Sequence, residues 1–180
     1  GDNRNSLGVA RLVDVAIPDG VRVGVVQSYD NTFMTVLEKL GIPHEALSIE
    51  DFSQPKLDTF STILVDIRAY LVRPDLAANN LALLDYVSRG GTLIVNYQKT
   101  EEWKPAFAPY PITLSRNRVT REDAPVKLLA PDHPLFTIPN KIQPEDWDGW
   151  IQERGLYFPS EWDAAYTPLI EVNDPGDTGF

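Results

Sequence analysis

The stretch "VRVGVVQSYDNTFMTVLEKLG", Val21 to Gly41, decides the fold class. Val21 to Val26 is rich in β-branched residues and nearly continuous in apolar ones, the pattern of a strand buried on both faces. It runs into the polar cluster Gln27 to Asp30. Asp30, Asn31 or Thr32 then caps a helix whose Phe33, Val36, Leu37 and Leu40 fall at helical spacing, and Gly41 supplies the stop. A strand, a turn and a helix in this order make half of a parallel crossover unit.

The pattern repeats downstream. "HEALS", His44 to Ser48, reads as a second short strand, Ser48 with Asp51 as a capping box, and "STILVD", Ser61 to Asp66, as a third strand. Pro74-Asp75 opens a further helix with Leu76, Leu83, Leu84 and Val87 on one side; Gly90-Gly91 ends it before the fourth strand, "TLIVNY". Strands alternating with helices imply a parallel sheet covered on both faces. The expected architecture is α/β, a flavodoxin-like, doubly wound core in three layers over residues 21–180, with residues 1–20 a linker or edge strand.

The second half differs in texture. Between Trp103 and Pro175 lie most of the 15 prolines and all four tryptophans, with short strand candidates "PITL", "VKLL", "LYF" and "TPLIEV". This reads as an irregular elaboration packed over the carboxyl ends of the sheet. The last strand candidate meets the turn signal Asp174-Pro175-Gly176, so its hairpin partner is expected to be missing. A start at "GDNRNS" without methionine reads as a segment of a longer protein.

Composition narrows the functions. Sixteen Lys and Arg against 26 Asp and Glu leave a formal charge of -10, a field that repels nucleic acid and anionic membranes. No run approaches the roughly 20 apolar residues of a membrane span. With no cysteine in the 180 residues, disulfides, thiolate metal sites and a cysteine nucleophile are excluded. Histidine pairs at metal-ligand spacing and glycine-rich phosphate loops do not occur, so neither a metal nor a cofactor is expected. "EDWD", Glu145 to Asp148, lacks the ligand spacing of a calcium loop and reads as surface acid. Of the two histidines, His133 between prolines reads as a loop-shaping residue.

Candidate site residues follow from where open parallel sheets collect ligands, beyond the carboxyl ends of their strands. That rule selects Ser28, Tyr29 and Asp30 after the first strand, Asp66, Arg68 and Tyr70 after the third, and Asn96, Tyr97 and Lys99 after the fourth. The same residues would serve equally to cap helices and satisfy loop backbone. Asn96 with its bulky neighbours does not fit a nucleophile elbow, which needs small flanking residues. A second cluster, Asp146 to Trp162, places three tryptophans and a tyrosine beside Gln152, Glu153, Arg154 and Glu161. Aromatic faces beside amides and carboxylates suit a sugar; they also suit the core of an irregular lid.

Three segments carry a family likeness: "DIRAYLVRPDLAANNLALLDYVSRGGTLIVNYQK", "RVTREDAPVKLLAPDHPLFTIPNKI" and "DWDGWIQERGLYF". Together they resemble the C-terminal region of large bacterial PIG-L (LmbE-like) deacetylase-family proteins, a region similar to class I glutamine amidotransferase-like domains. The resemblance implies a separate upstream catalytic domain carrying the P-H-x-D-D zinc motif, which nothing here matches. It also implies an amidotransferase-like fold whose nucleophile position holds Asn96-Tyr97 instead of cysteine, and a further strand and helix beyond "NDPG".

The expectation is therefore a noncatalytic accessory module that binds an N-acetylated carbohydrate or packs against its catalytic domain, with no catalytic residue of its own. Arg68, Tyr97, Trp150, Glu153, Arg154 and Trp162 are the ligand-binding candidates, aromatics stacking and arginines orienting hydroxyls or a carboxylate. The alternatives are a divergent hydrolase using Asp66, Glu153 or Glu161 as acid or base, and a purely structural interaction module. Oligomeric state is left open by the residues; association with glycan processing points to the bacterial periplasm or exterior.

Overall fold

In the computed structural model, which describes residues 14–147 and 155–177, the apolar run after the Pro18–Gly20 turn forms strand β1, Val23–Val26, buried throughout. Helix α1, Thr32–Lys39, follows. Its start is steadied by Asp30, whose Oδ1 accepts from the Thr32 N–H at 2.8 Å, and its end by Gly41 at φ 68°, where the Ile42 N–H returns to the Leu37 carbonyl. Strand β2 is His44–Ala46. The capping box forms as expected: the Ser48 N–H and hydroxyl both donate to Asp51 Oδ2 at 2.8 Å. Helix α2, Gln54–Leu57, leads to β3, Thr62–Val65.

Past β3 the chain forms a short helix that was not expected, α3, Ala69–Val72, and the single helix expected from Pro74 forms as two pieces, α4, Pro74–Ala78, and α5, Asn80–Ser88. Pro74 cannot continue α3, and the Asn79 side chain bonds back to the Asp75 carbonyl at 2.9 Å, which ends α4. Strand β4 is Thr92–Val95. The four strands form one parallel sheet in the order β2-β1-β3-β4, with Val23 opposite both His44 and Thr62 and Thr62 opposite Thr92.

The two faces of this sheet are covered unequally. Ile63, Val65 and Val26 look toward α5 and the segment beyond β4, in a core with Leu57, Phe60, Leu76, Leu83, Tyr86 and Phe107. Val23, Val25 and Leu64 look the other way, against Phe33, Met34 and Leu37 of α1. Ile94 belongs to that second face through its pairing with Leu64, lies past the reach of α1, and is 45% exposed.

The second half builds two antiparallel ribbons. Strand β5, Ile112–Leu114, pairs with β7, Pro159–Trp162, and β6, Val126–Leu128, pairs with β8, Ile170–Val172. The strand expected at "LYF" lies one step later, and Leu156 makes only a bridge to Arg118. The last strand pairs with β6, more than 40 residues upstream. Short helix α6, Pro134–Thr137, is capped by His133, whose Nδ1 accepts from the Leu135 N–H at 3.2 Å. Asp14–Pro18 forms no strand; the Asn140 amide holds both the N–H and the carbonyl of Ala16 at 2.8 Å.

Two predictions follow from the packing. A Cβ on Gly91 would stand 2.2 Å from the Tyr86 ring, which is buried and anchored by its hydroxyl to the Phe60 carbonyl at 3.0 Å. Gly91→Ala should therefore lower stability by about 2 kcal/mol or more in urea titration, the range of overpacked cores. The second concerns acid. Arg73 grips Asp75 at 2.6 Å and holds its carboxyl below the usual range. A depressed folded-state value means a contribution that is complete above the unfolded value of about 3.9 and is lost as pH falls through the folded one. Asp75→Asn should lower the melting temperature at neutral pH and flatten its fall below about pH 4.

Candidate functional site

In a sheet of order β2-β1-β3-β4 the connections diverge between β1 and β3, and a ligand crevice belongs at their carboxyl ends. Here the protein bridges that crevice itself. Asp66, directly after β3 and 5% exposed, accepts from the Ser28 N–H at 3.1 Å and the Ser28 hydroxyl at 2.8 Å through Oδ2, and from the Ile67 N–H at 2.7 Å through Oδ1. Arg73 reaches over the same end, with Nη1 3.5 Å from the Gln27 carbonyl and 3.4 Å from that of Leu47. Asp66 is thus a clip between β1 and β3. Its carboxylate is occupied by three hydrogen bonds from the protein itself.

The polar turn after β4 is equally occupied. The Asn96 side chain donates to the Val65 carbonyl at 3.0 Å. Gln98, buried, donates to the carbonyls of Asp66 at 2.9 Å and Asn96 at 3.0 Å and accepts from the Tyr70 N–H at 3.3 Å. The Tyr97 carbonyl accepts from the Arg68 N–H at 2.8 Å. A buried amide that satisfies three backbone groups of two loops is a structural knot.

That knot holds Arg68 in an unusual place. Arg68 sits at φ 56°, ψ 25°, the left-handed region that costs a side-chain-bearing residue about 1 kcal/mol or more. The conformation turns the chain sharply from β3 into α3. Arg68 Nε then donates to Glu102 Oε1 at 2.7 Å, its Nη2 donates to the same oxygen, and Glu102 Oε2 accepts from the Lys99 N–H at 3.3 Å. Glu102 keeps only 3% of its side chain exposed, against 29% for Arg68. The carboxylate holds the guanidinium above its already high pKa.

Between α3–α4 and the segment following β4 lies an open cleft of about 600 Å³. Arg68, Lys99, Glu101, Glu102 and Lys104 supply its charge; Leu71, Pro74 and Tyr157 supply its apolar walls. Its floor is rigid. Tyr70 stacks on Phe107 at 4.4 Å, meets Trp103 edge-on at 5.7 Å, and donates its hydroxyl to Asn80 Oδ1 at 2.5 Å, while Asn80 donates to the Phe107 carbonyl at 3.1 Å. Burial pushes the Tyr70 phenol well above its ordinary pKa, so it stays a neutral donor.

The expected site residues divide. Arg68 lines the cleft, and Tyr97 lies beside it, its ring 5.8 Å from that of Tyr157 and lining a second hollow of about 390 Å³ above Asn96. Trp162, 46% exposed on β7, belongs to a separate apolar hollow with Phe158, Tyr166 and Pro168. It does not reach Arg68's cleft. Trp150, Glu153 and Arg154 lie outside the described residues. Glu101, Glu102 and Lys104 join the site without having been singled out in the sequence, and Tyr157, the tyrosine of the aromatic cluster, shares the cleft with Arg68; only tertiary packing brings positions this far apart together. A partial signal existed for Glu102, an acid three residues after Lys99 at a helical-turn spacing.

Among the described residues no group of three or more His, Cys, Asp or Glu side chains could hold a metal ion, and no helix is long and apolar enough to cross a membrane. No protein-family model, no curated protein and no solved structure matches this chain.

The knot makes a direct prediction. Gln98→Leu leaves the Tyr70 N–H and the Asn96 carbonyl without their side-chain partner, while the Asp66 carbonyl keeps the Ala69 N–H at 3.2 Å, so it should cost roughly 1 to 3 kcal/mol in urea titration. A cost under about 0.5 kcal/mol, the scatter of a surface substitution, would mean that Gln98 does not bind these loops together.

Proposed function

We propose that this chain is a noncatalytic binding module, the amidotransferase-like region of a PIG-L (LmbE-like) deacetylase-family protein, and that the cleft beside Arg68 takes a carbohydrate. The observation that carries the noncatalytic half is the state of the Asn96–Lys99 turn. In amidotransferase-like domains the nucleophile follows the corresponding strand; here that turn is spent on hydrogen bonds to Val65, Asp66, Tyr70 and Arg68. The strand order β2-β1-β3-β4 with helices on both faces agrees with the first four strands of a flavodoxin-like, doubly wound sheet and so supports the same reading.

The binding half rests on the cleft. Its volume falls within the few hundred to about 1,000 Å³ of small-molecule sites. A pyranose offers an apolar C–H face and a rim of hydroxyls; Tyr157 and Leu71 suit the first, and Arg68, Lys99, Glu101 and Lys104 suit the second. The substrate of the upstream domain, an N-acetylated sugar or glycoconjugate, is the ligand this reading names.

The test uses calorimetric titration of the whole chain with N-acetylglucosamine oligosaccharides. Tyr157 stands at φ 61°, a conformation asparagine tolerates, so Tyr157→Asn removes the ring without disturbing the backbone. Affinity should fall about tenfold, equivalent to about 1.4 kcal/mol. Turnover of ester, amide or glycoside substrates that disappears in Asp66→Asn would overturn the noncatalytic reading. Failure of the oligosaccharide to bind would sink the carbohydrate.

A further inference from the structure

Within that reading, on which it rests, we infer that the cleft beside Arg68 selects an acidic saccharide and holds the acid group with Lys99 and Lys104. The argument is a balance of charges. Five charged side chains line the cleft: Arg68, Lys99, Lys104, Glu101 and Glu102, three cations and two anions. Both carboxylates are already neutralised. Glu102 is gripped by Arg68 and by the Lys99 N–H, and Glu101 is paired with Arg116, which is not among the residues lining the cleft.

The two ammonium groups are left over. Among the described residues neither Lys99 nor Lys104 gives its ammonium a hydrogen bond or an ion pair. Lys99 acts on Glu101 only through space, and the Lys104 nitrogen stands 5.8 Å from the Phe107 ring centre, a contact that leaves its N–H donors free. An ammonium has three donors and no acceptor, so what satisfies it from a ligand is an anion or a ring of hydroxyl oxygens. Two ammonium groups at one rim favour the anion.

The formal charge of -10 on the whole chain does not oppose this. At physiological salt a charge is largely screened beyond about 8 Å, whereas the lysines act at contact distance on whatever fills the cleft. The remaining wall limits what else the ligand carries. Leu71, 49% exposed, with Pro74, Ala77 and Tyr157, adds apolar surface to the same cleft. Inorganic anions have nothing to place there. A sugar ring bearing a carboxylate, as in a uronic acid, meets both halves: its C–H face lies on Tyr157 and its carboxylate reaches Lys99 and Lys104.

Calorimetric titration of the full chain at low and at physiological salt tests this, with three probes: a glucuronate-containing tetrasaccharide, a neutral N-acetylglucosamine tetrasaccharide and inorganic phosphate. The uronate oligomer should bind about tenfold or more tighter than the neutral one and weaken as salt rises. Lys99→Gln with Lys104→Gln should remove that advantage and flatten the salt dependence. Equal affinity for neutral and acidic oligomers, unchanged in the lysine variant, would overturn the charge inference while leaving carbohydrate binding intact. Phosphate binding as tightly as the uronate would overturn the saccharide class, and no binding by either oligomer would overturn the proposed function itself.

Discussion

The buried amide of Gln98 is the constraint on which the functional end of this protein depends. One side chain joins the loop after β3 to the loop after β4 by bonding backbone groups of Asp66, Asn96 and Tyr70. With those loops fixed, the Arg68 N–H meets the Tyr97 carbonyl, and the left-handed turn at Arg68 follows. The strain of that turn is tolerated because several hydrogen bonds determine it at once. Everything that lines the cleft on its α3 side is placed by this arrangement.

The Arg68–Glu102 pair belongs to the same logic. A nearly buried carboxylate is costly unless its oxygens are filled, and Glu102 fills them with a guanidinium and the Lys99 N–H. The pair adds little evidence of stability by itself. What it does is orient: it pins the segment after β4 against the turn after β3 and leaves the cleft open between them. At the same carboxyl edge of the sheet, the Ser28–Asp66 bonds close the crevice where many sheets of this kind bind ligands. The open volume is displaced by one strand, from the β1–β3 boundary to the ends of β3 and β4.

The unequal covering of the sheet has a local cause. Alternation along β3 and β4 sends Ile63, Val65, Leu93 and Val95 to one face and Leu64 and Ile94 to the other. The first face receives α5, α2 and the Trp103–Phe107 segment; among the described residues the second receives α1, whose Phe33, Met34 and Leu37 pack on Val23, Val25 and Leu64. A helix about 10 Å across covers roughly two strands spaced about 4.8 Å apart, so Ile94 stays in contact with solvent.

The α/β class, the four parallel strands and the Ser48–Asp51 cap were legible from periodicity and punctuation, because those signals depend on neighbours within a few residues. So were the loops after β3 and β4, in which Arg68, Tyr97 and Lys99 stand. Two features were not: the helix expected from Pro74 divides at Asn79 into α4 and α5, and the added helix α3 starts at a left-handed Arg68 that depends on a carbonyl 29 residues away. Nor could sequence separate Trp162 from Arg68, or bring Tyr157 and Lys104 to one cleft, because side chains from the irregular second half are located by pairing across β5–β7 and not by local pattern. Local order is written in spacing, where each residue answers to the next turn of chain. The fate of a polar side chain, whether it knots two loops as Gln98 does or faces a cleft as Lys99 does, is decided only by which distant groups the fold brings within about 3 Å of it.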